Sequence, residues 1–155
     1  MLAPRICQLA QTFALLVACA LTPAHAQTIS GRATVIDGET LEIRGTRIRL
    51  YGIDVPADDH ACERTDDLRW RCGPRAMNAL GEMLEEAVVS CLTREKDDAG
   101  RLVAVCSVGP VDVGLWLVRN GLARARPSAD GRYGQAQEEA RAARRGSWAG
   151  QQNSD

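Results

Sequence analysis

Beyond residue 26 this sequence has one histidine, one lysine, no C-x-x-C pair and no apolar run long enough to cross a bilayer. Each shortage closes a door. His60 stands alone in a polar stretch and no paired cysteine motif exists, so a zinc site is not expected. Without a second apolar run, no stable membrane span is expected. A surplus of positive charge is missing too. Taking away Arg5 with the first 26 residues leaves 19 − 1 = 18 bases against 20 acids, a formal charge of −2. Generic nucleic-acid binders are normally basic, so non-specific electrostatic capture is not supported. Every base in that stretch except Lys96 is an arginine. Arg119, Arg124, Arg126, Arg132, Arg141, Arg144 and Arg145 crowd the C-terminal third, which reads as a solvated helix face or an anion-facing surface.

Residues 1–26 read as a secretory leader: Arg5, an apolar run from Phe13 to Leu21, Pro23, and the small-x-small site Ala24-His25-Ala26. A periplasmic or secreted location follows. A competing reading takes Leu16-Val17-Ala18-Cys19 as a lipobox that would make the chain a lipoprotein through Cys19. Cleavage after Ala26 leaves Cys62, Cys72, Cys91 and Cys106, and four thiols in an oxidising compartment imply two disulfides. One domain is expected over 27–149, with a frayed tail at 150–155.

Residues 28–36, 39–44 and 46–53 read as three short strands, with Asp37-Gly38 and Gly45-Thr46 as turns. Ile48 and Leu50 alternate with Arg47, Arg49 and Tyr51, so one face is core and the other presents guanidinium groups. Residues 57–72 read as an irregular surface loop. Pro74 opens a helix whose apolar stripe is Met77, Leu80, Leu84 and Ala87. Val88–Thr93 and Arg101–Val108 form a hairpin. With Asp98-Ala99 as its central pair, residues summing to 197 face each other, and Cys91 faces Cys106. That pairing leaves Cys62–Cys72. Asp112 caps a helix ended by Gly121, and a last helix near 134–145 buries Ala136, Ala140 and Ala143 before Trp148 anchors the end. Five strands with a helix after the third, then further helices, suit a mainly β (α+β) Greek-key barrel of the OB type.

Asp37-Gly38-x-Thr40, Arg49-Leu50-x-x-x-Asp54-x-Pro56, Gly100-Arg101, Val118-Arg119-x-Gly121-Leu122-Ala123 and Gly146-Ser147-Trp148 occur in that order. Together they resemble the staphylococcal nuclease-like (thermonuclease) family, in its short exported proteobacterial form. The resemblance implies an OB barrel, calcium-dependent phosphodiester hydrolysis of DNA or RNA, and a monomer. It places a calcium ion on Asp37, Glu39, Asp54 and the Val55 carbonyl, hard oxygen donors that suit this cation. It also makes Arg49 and Arg101 the catalytic phosphate clamps.

Three departures qualify the implication. The family has glutamate, assigned to the attacking water, where this chain has Ala57. Loss of a general base costs 10²–10⁴-fold, so attenuated or absent hydrolysis is expected. Asp58, Asp59 and Glu63 are nearby substitutes. Glu39 stands where aspartate is usual, which implies weakened or rearranged metal binding. Relatives also carry tyrosines after the Gly-Leu-Ala helix end, whereas here no aromatic occurs until Tyr133, and Arg126 is the substrate-binding candidate. Base stacking contributes about 1–3 kcal/mol per base, so weak binding of single-stranded nucleic acid or nucleotide is expected. The alternative function is a non-catalytic periplasmic binding protein that takes an anionic polysaccharide, for example in exopolysaccharide (succinoglycan-type) production.

Overall fold

A computed structural model describes residues 27–56, 61–62, 70–127 and 130–149, with backbone alone at 61–62 and 70–71. The expected leader, the tail, Ala57, Asp58, Asp59, His60 and Glu63 lie outside the described residues, as does the side chain of Cys62.

Three strands, β1 (Thr28–Val35), β2 (Thr40–Ile43) and β3 (Thr46–Leu50), form an antiparallel meander. After the helix α1 (Cys72–Leu84), β7 (Val88–Lys96) pairs with β1 and with β8 (Leu102–Val108). A parallel pairing, Arg49 opposite Val103, joins β3 to β8 and closes five strands into a barrel. Closure removes the sheet edges that would otherwise expose unpaired backbone. Minor pairings lie between: β4 (Ile53–Asp54), β5 (Ala61–Cys62), β6 (Trp70–Arg71), β9 (Val111–Asp112) and β10 (Arg124–Ala125). Two further helices, α2 (Val113–Arg119) and α3 (Gly134–Ala142), follow, and a 3-10 turn runs over Gly146–Trp148. The α+β OB-type barrel expected from the element order is what the chain forms.

The interior is aliphatic. Leu41, Ile43, Ile48, Ile53, Leu80, Val89, Val113 and Leu117 are fully buried, and Cys91–Cys106 spans β7 and β8 inside this core. Asp112 caps α2 by accepting the Leu115 N–H at 2.9 Å.

Several expectations need correction. The hairpin tip is not a two-residue turn on Asp98-Ala99. Asp97 N–H reaches the Arg101 carbonyl, and a bulge between Thr93 and Glu95 absorbs the extra residue. The register on the cysteine side of the bulge is the expected one, so Cys91 still faces Cys106. Strand β3 stops at Leu50, because Gly52 takes φ +75° and redirects the chain into β4. Helix α1 begins at Cys72 and buries Gly73, Ala76, Leu80 and Leu84, while Met77 is exposed. Leu80 and Leu84 are thus buried as expected, Ala76 takes the place expected for Met77, and Ala87 lies past the helix end. Ala143 lies past the end of α3 and is exposed. Cys72 is disulfide-bonded. Within 57–72, expected to be irregular, Ala61 pairs with Arg71 and Cys62 with Trp70 along the backbone.

Candidate anion-binding cleft at the barrel rim

The rim is assembled from three short segments that would be unremarkable singly. The turn between β1 and β2 brings Asp37 and Glu39; β3 brings Arg49; β4 brings Asp54. Gly38 makes the turn possible, because a Cβ there would sit 2.8 Å from Val55 Cγ1 and 3.0 Å from Ala76 Cβ. The backbone then holds Glu39 in place, since its carbonyl accepts the Leu50 N–H at 2.8 Å.

Glu39 Oε1 accepts from Arg49 Nε at 2.8 Å and lies 2.8 Å from Arg49 Nη2 as an ion pair, and Glu39 Oε2 accepts from Val55 N–H at 3.1 Å. Arg49 Nη2 also lies 3.8 Å from Asp54 Oδ1. The same Asp54 oxygen accepts from Arg126 Nη2 at 3.2 Å. Arg126 reaches it because β10 pairs with β4, Arg124 opposite Asp54, and Arg126 N–H donates to the Gly52 carbonyl at 2.9 Å. This two-residue pairing was invisible in the sequence, where residues 46–53 look like one continuous strand. Gly52 was its available signal.

Arg49 and Arg126 line a cleft of about 380 Å³ whose other walls include Tyr51, Lys96 and Asp97. Arg101 immediately precedes β8, two residues before Val103, the partner of Arg49. Its guanidinium is tied to Asp97, with Nε 2.7 Å from Oδ2, and its own N–H donates to Asp97 Oδ1 at 2.8 Å. The structure therefore gathers Glu39, Arg49, Asp54, Val55 and Arg126. Among the described residues Arg101 has no ion pair with Asp54, and the exposed Asp37 bends back on its own turn, where Oδ1 accepts the Glu39 N–H at 2.8 Å. Tyr133 is buried and donates to both oxygens of Asp112, well away from a base-stacking role. Much of the C-terminal arginine group is committed as well: Arg119 to Glu139, Arg141 to Glu138, and Arg124 and Arg141 over the Trp148 ring.

Residues 47–150 match the family described as Staphylococcal nuclease homologue. The chain belongs to the staphylococcal nuclease family. It is also similar to the succinoglycan biosynthesis protein ExoI of Rhizobium meliloti (strain 1021), 34% identical over 129 residues, covering 81% of this chain and 68% of that protein. For this family member the implied calcium site can be tested against its donors. Among the described residues, no group of three or more His, Cys, Asp or Glu side chains is disposed to hold a metal ion. Both Glu39 oxygens are taken by Arg49 and Val55, and one oxygen each of Asp37 and Asp54 is taken too. The donors as arranged do not fit a dication.

Proposed function

We propose that this protein is an exported family member whose Arg49–Arg126 cleft captures single-stranded phosphodiester chains and turns them over slowly at most. One observation carries the reading: two guanidiniums from distant parts of the chain meet at Asp54 Oδ1 and open onto one cleft. Guanidinium forks match phosphoryl oxygens, and a phosphate entering the cleft displaces the exposed Asp54 carboxylate from Arg126. Binding is weak because Glu95, Asp97 and Asp98 share the walls with Lys96 and the arginines. Ala57 leaves no carboxylate at the position the family uses for the attacking water, which supports binding over turnover.

The test pairs anisotropy of a labelled oligothymidylate with a cleavage assay on denatured DNA. Arg49→Ala should weaken binding about tenfold or more. Ala57→Glu should raise cleavage over the parent by a clear margin if the rest of the site is competent. Unchanged binding in Arg49→Ala would remove the cleft from the account.

A second reading rests on the similarity to a succinoglycan biosynthesis protein. The same guanidiniums would take the acidic groups of an anionic polysaccharide, in an accessory role without cleavage. OB barrels bind oligosaccharides and oligonucleotides on the same face. Competition between the labelled oligonucleotide and an acidic glycan separates the two: preferential displacement by the glycan favours the second reading.

A further inference from the structure

We propose that Glu39 acts as a built-in counter-ion that takes the place of a bound dication, so that the cleft recruits anions without divalent metal. The proposal deepens the cleft reading above and rests on it in one of its two arms.

The Glu39 carboxylate ties three segments together. It begins on the β1–β2 turn, holds Arg49 on β3 through the Nε–H hydrogen bond and the Nη2 ion pair, and accepts the Val55 amide just after β4. Its side chain is 20% exposed and that of Arg49 15%, so the pair is partly withdrawn from solvent and holds its geometry better than a surface pair. A calcium ion requires six to eight oxygens at about 2.3–2.6 Å. To coordinate Glu39 Oε1 it would have to stand beside guanidinium nitrogens that already lie 2.8 Å from that oxygen. The cation would compete for occupied lone pairs and face a like charge at close range. Its electrostatic incentive is also small. Asp37, Glu39 and Asp54 contribute −3 while Arg49 and Arg126 contribute +2, so the five groups sum to −1.

An anion meets the opposite situation. Arg49 donates to Glu39 through Nε and keeps Nη2 2.8 Å from the same oxygen, so the pair positions the guanidinium plane, and among the described residues Nη1 has no hydrogen-bond or ion-pair partner. Arg126 is held by the 53% exposed Asp54 side chain, a partner readily exchanged for a ligand. Glu39 is thus a positioning and specificity-determining residue. Its length matters: one methylene fewer shortens the reach toward Arg49 and the Val55 amide together.

Calorimetric titration of calcium chloride into wild type, Glu39→Asp and Arg49→Met decides the metal arm, with circular dichroism checking that each variant is folded. Wild type should give no saturable binding. Glu39→Asp loosens the tie, and Arg49→Met removes the guanidinium while leaving Glu39 in place; either should gain a saturable calcium isotherm. The anion arm measures labelled oligothymidylate binding in EGTA and in calcium. Wild-type affinity should agree within about twofold between the two. Saturable calcium binding by wild type, or about tenfold tightening of the oligonucleotide by calcium, would overturn the proposal. Silence in both folded variants would overturn the assignment to Glu39. Absence of oligonucleotide binding under every condition would instead remove the cleft reading, with the calorimetry still deciding Glu39.

Discussion

Tyr133 is one of six aromatic residues in the whole sequence, and the fold uses it as a structural tie. Its ring is buried at 3% exposure and its hydroxyl donates to Asp112 at 3.1 and 3.0 Å. Desolvation first, then the Asp112 charge and the hydrogen bond to it, hold the phenol well above its ordinary pKa. The sign follows from linkage. A group raised in the folded state adds stability that is fully present below the unfolded value near 10 and disappears as pH climbs through the folded one. In an alkaline titration, tyrosinate absorbance from Tyr133 should therefore appear together with unfolding. Tyr133→Phe should lower stability by about 1 kcal/mol or more near neutrality and flatten the loss above pH ~10. Ionisation of Tyr133 near its ordinary value with the fold intact would contradict this. The partner of Tyr133, the carboxylate that also caps α2, emerges only when two helices meet.

Asp97 organises the β7–β8 hairpin, where the expected turn and the observed one differ. Its carboxylate accepts the Ala99 and Arg101 amides and the Arg101 guanidinium. Desolvation raises its pKa, yet the Arg101 amide and guanidinium together outweigh that and hold it below the ordinary carboxylate value. A depressed carboxyl stabilises above its unfolded pKa and loses that contribution as pH falls through the folded one. Amide protection over residues 95–103 should fall selectively below pH about 4, while protection in β1 and β2 persists. Asp97→Asn should show the loosened tip already at neutral pH, read by hydrogen exchange. Equal acid sensitivity in that variant and in wild type would argue against the assignment. Arg101, expected as a phosphate clamp, is ion-paired with Asp97 at the hairpin tip, and a short pairing of β4 with β10 delivers Arg126 to the rim.

At the level of the barrel, the Cys91–Cys106 bridge joins two neighbouring strands across a sequence separation of 15, with both sulfurs inside the core. Because the cysteines are 0% and 1% exposed, reductant should reach them only on opening of the fold. Reducing this bridge should lower unfolding free energy by about 3 kcal/mol on the chain-entropy account. Denaturant melts with and without reductant, alongside Cys91→Ala/Cys106→Ala, measure it. A midpoint unmoved by the double substitution would show that barrel closure through β3 and β8 already supplies the constraint.

Local patterning was enough to announce most of the scaffold. Alternating apolar residues set strand faces, Asp112 and Gly121 bracket a helix, and the register that joins Cys91 to Cys106 depends on neighbours in one hairpin. The family resemblance, not the local pattern, nominated Glu39, Arg49, Asp54 and Arg126 one by one. Which of them meet is a different matter. Asp54 shared by Arg49 and Arg126 depends on a contact 72 residues apart along the chain, and Glu39 clamping Arg49 and Arg101 paired with Asp97 depend on how two hairpins close. Alternation along a strand carries no information about partners brought near by barrel closure or by a glycine that bends the chain at residue 52. A carboxylate's role depends on which donors reach its lone pairs, and only folding in three dimensions sets that.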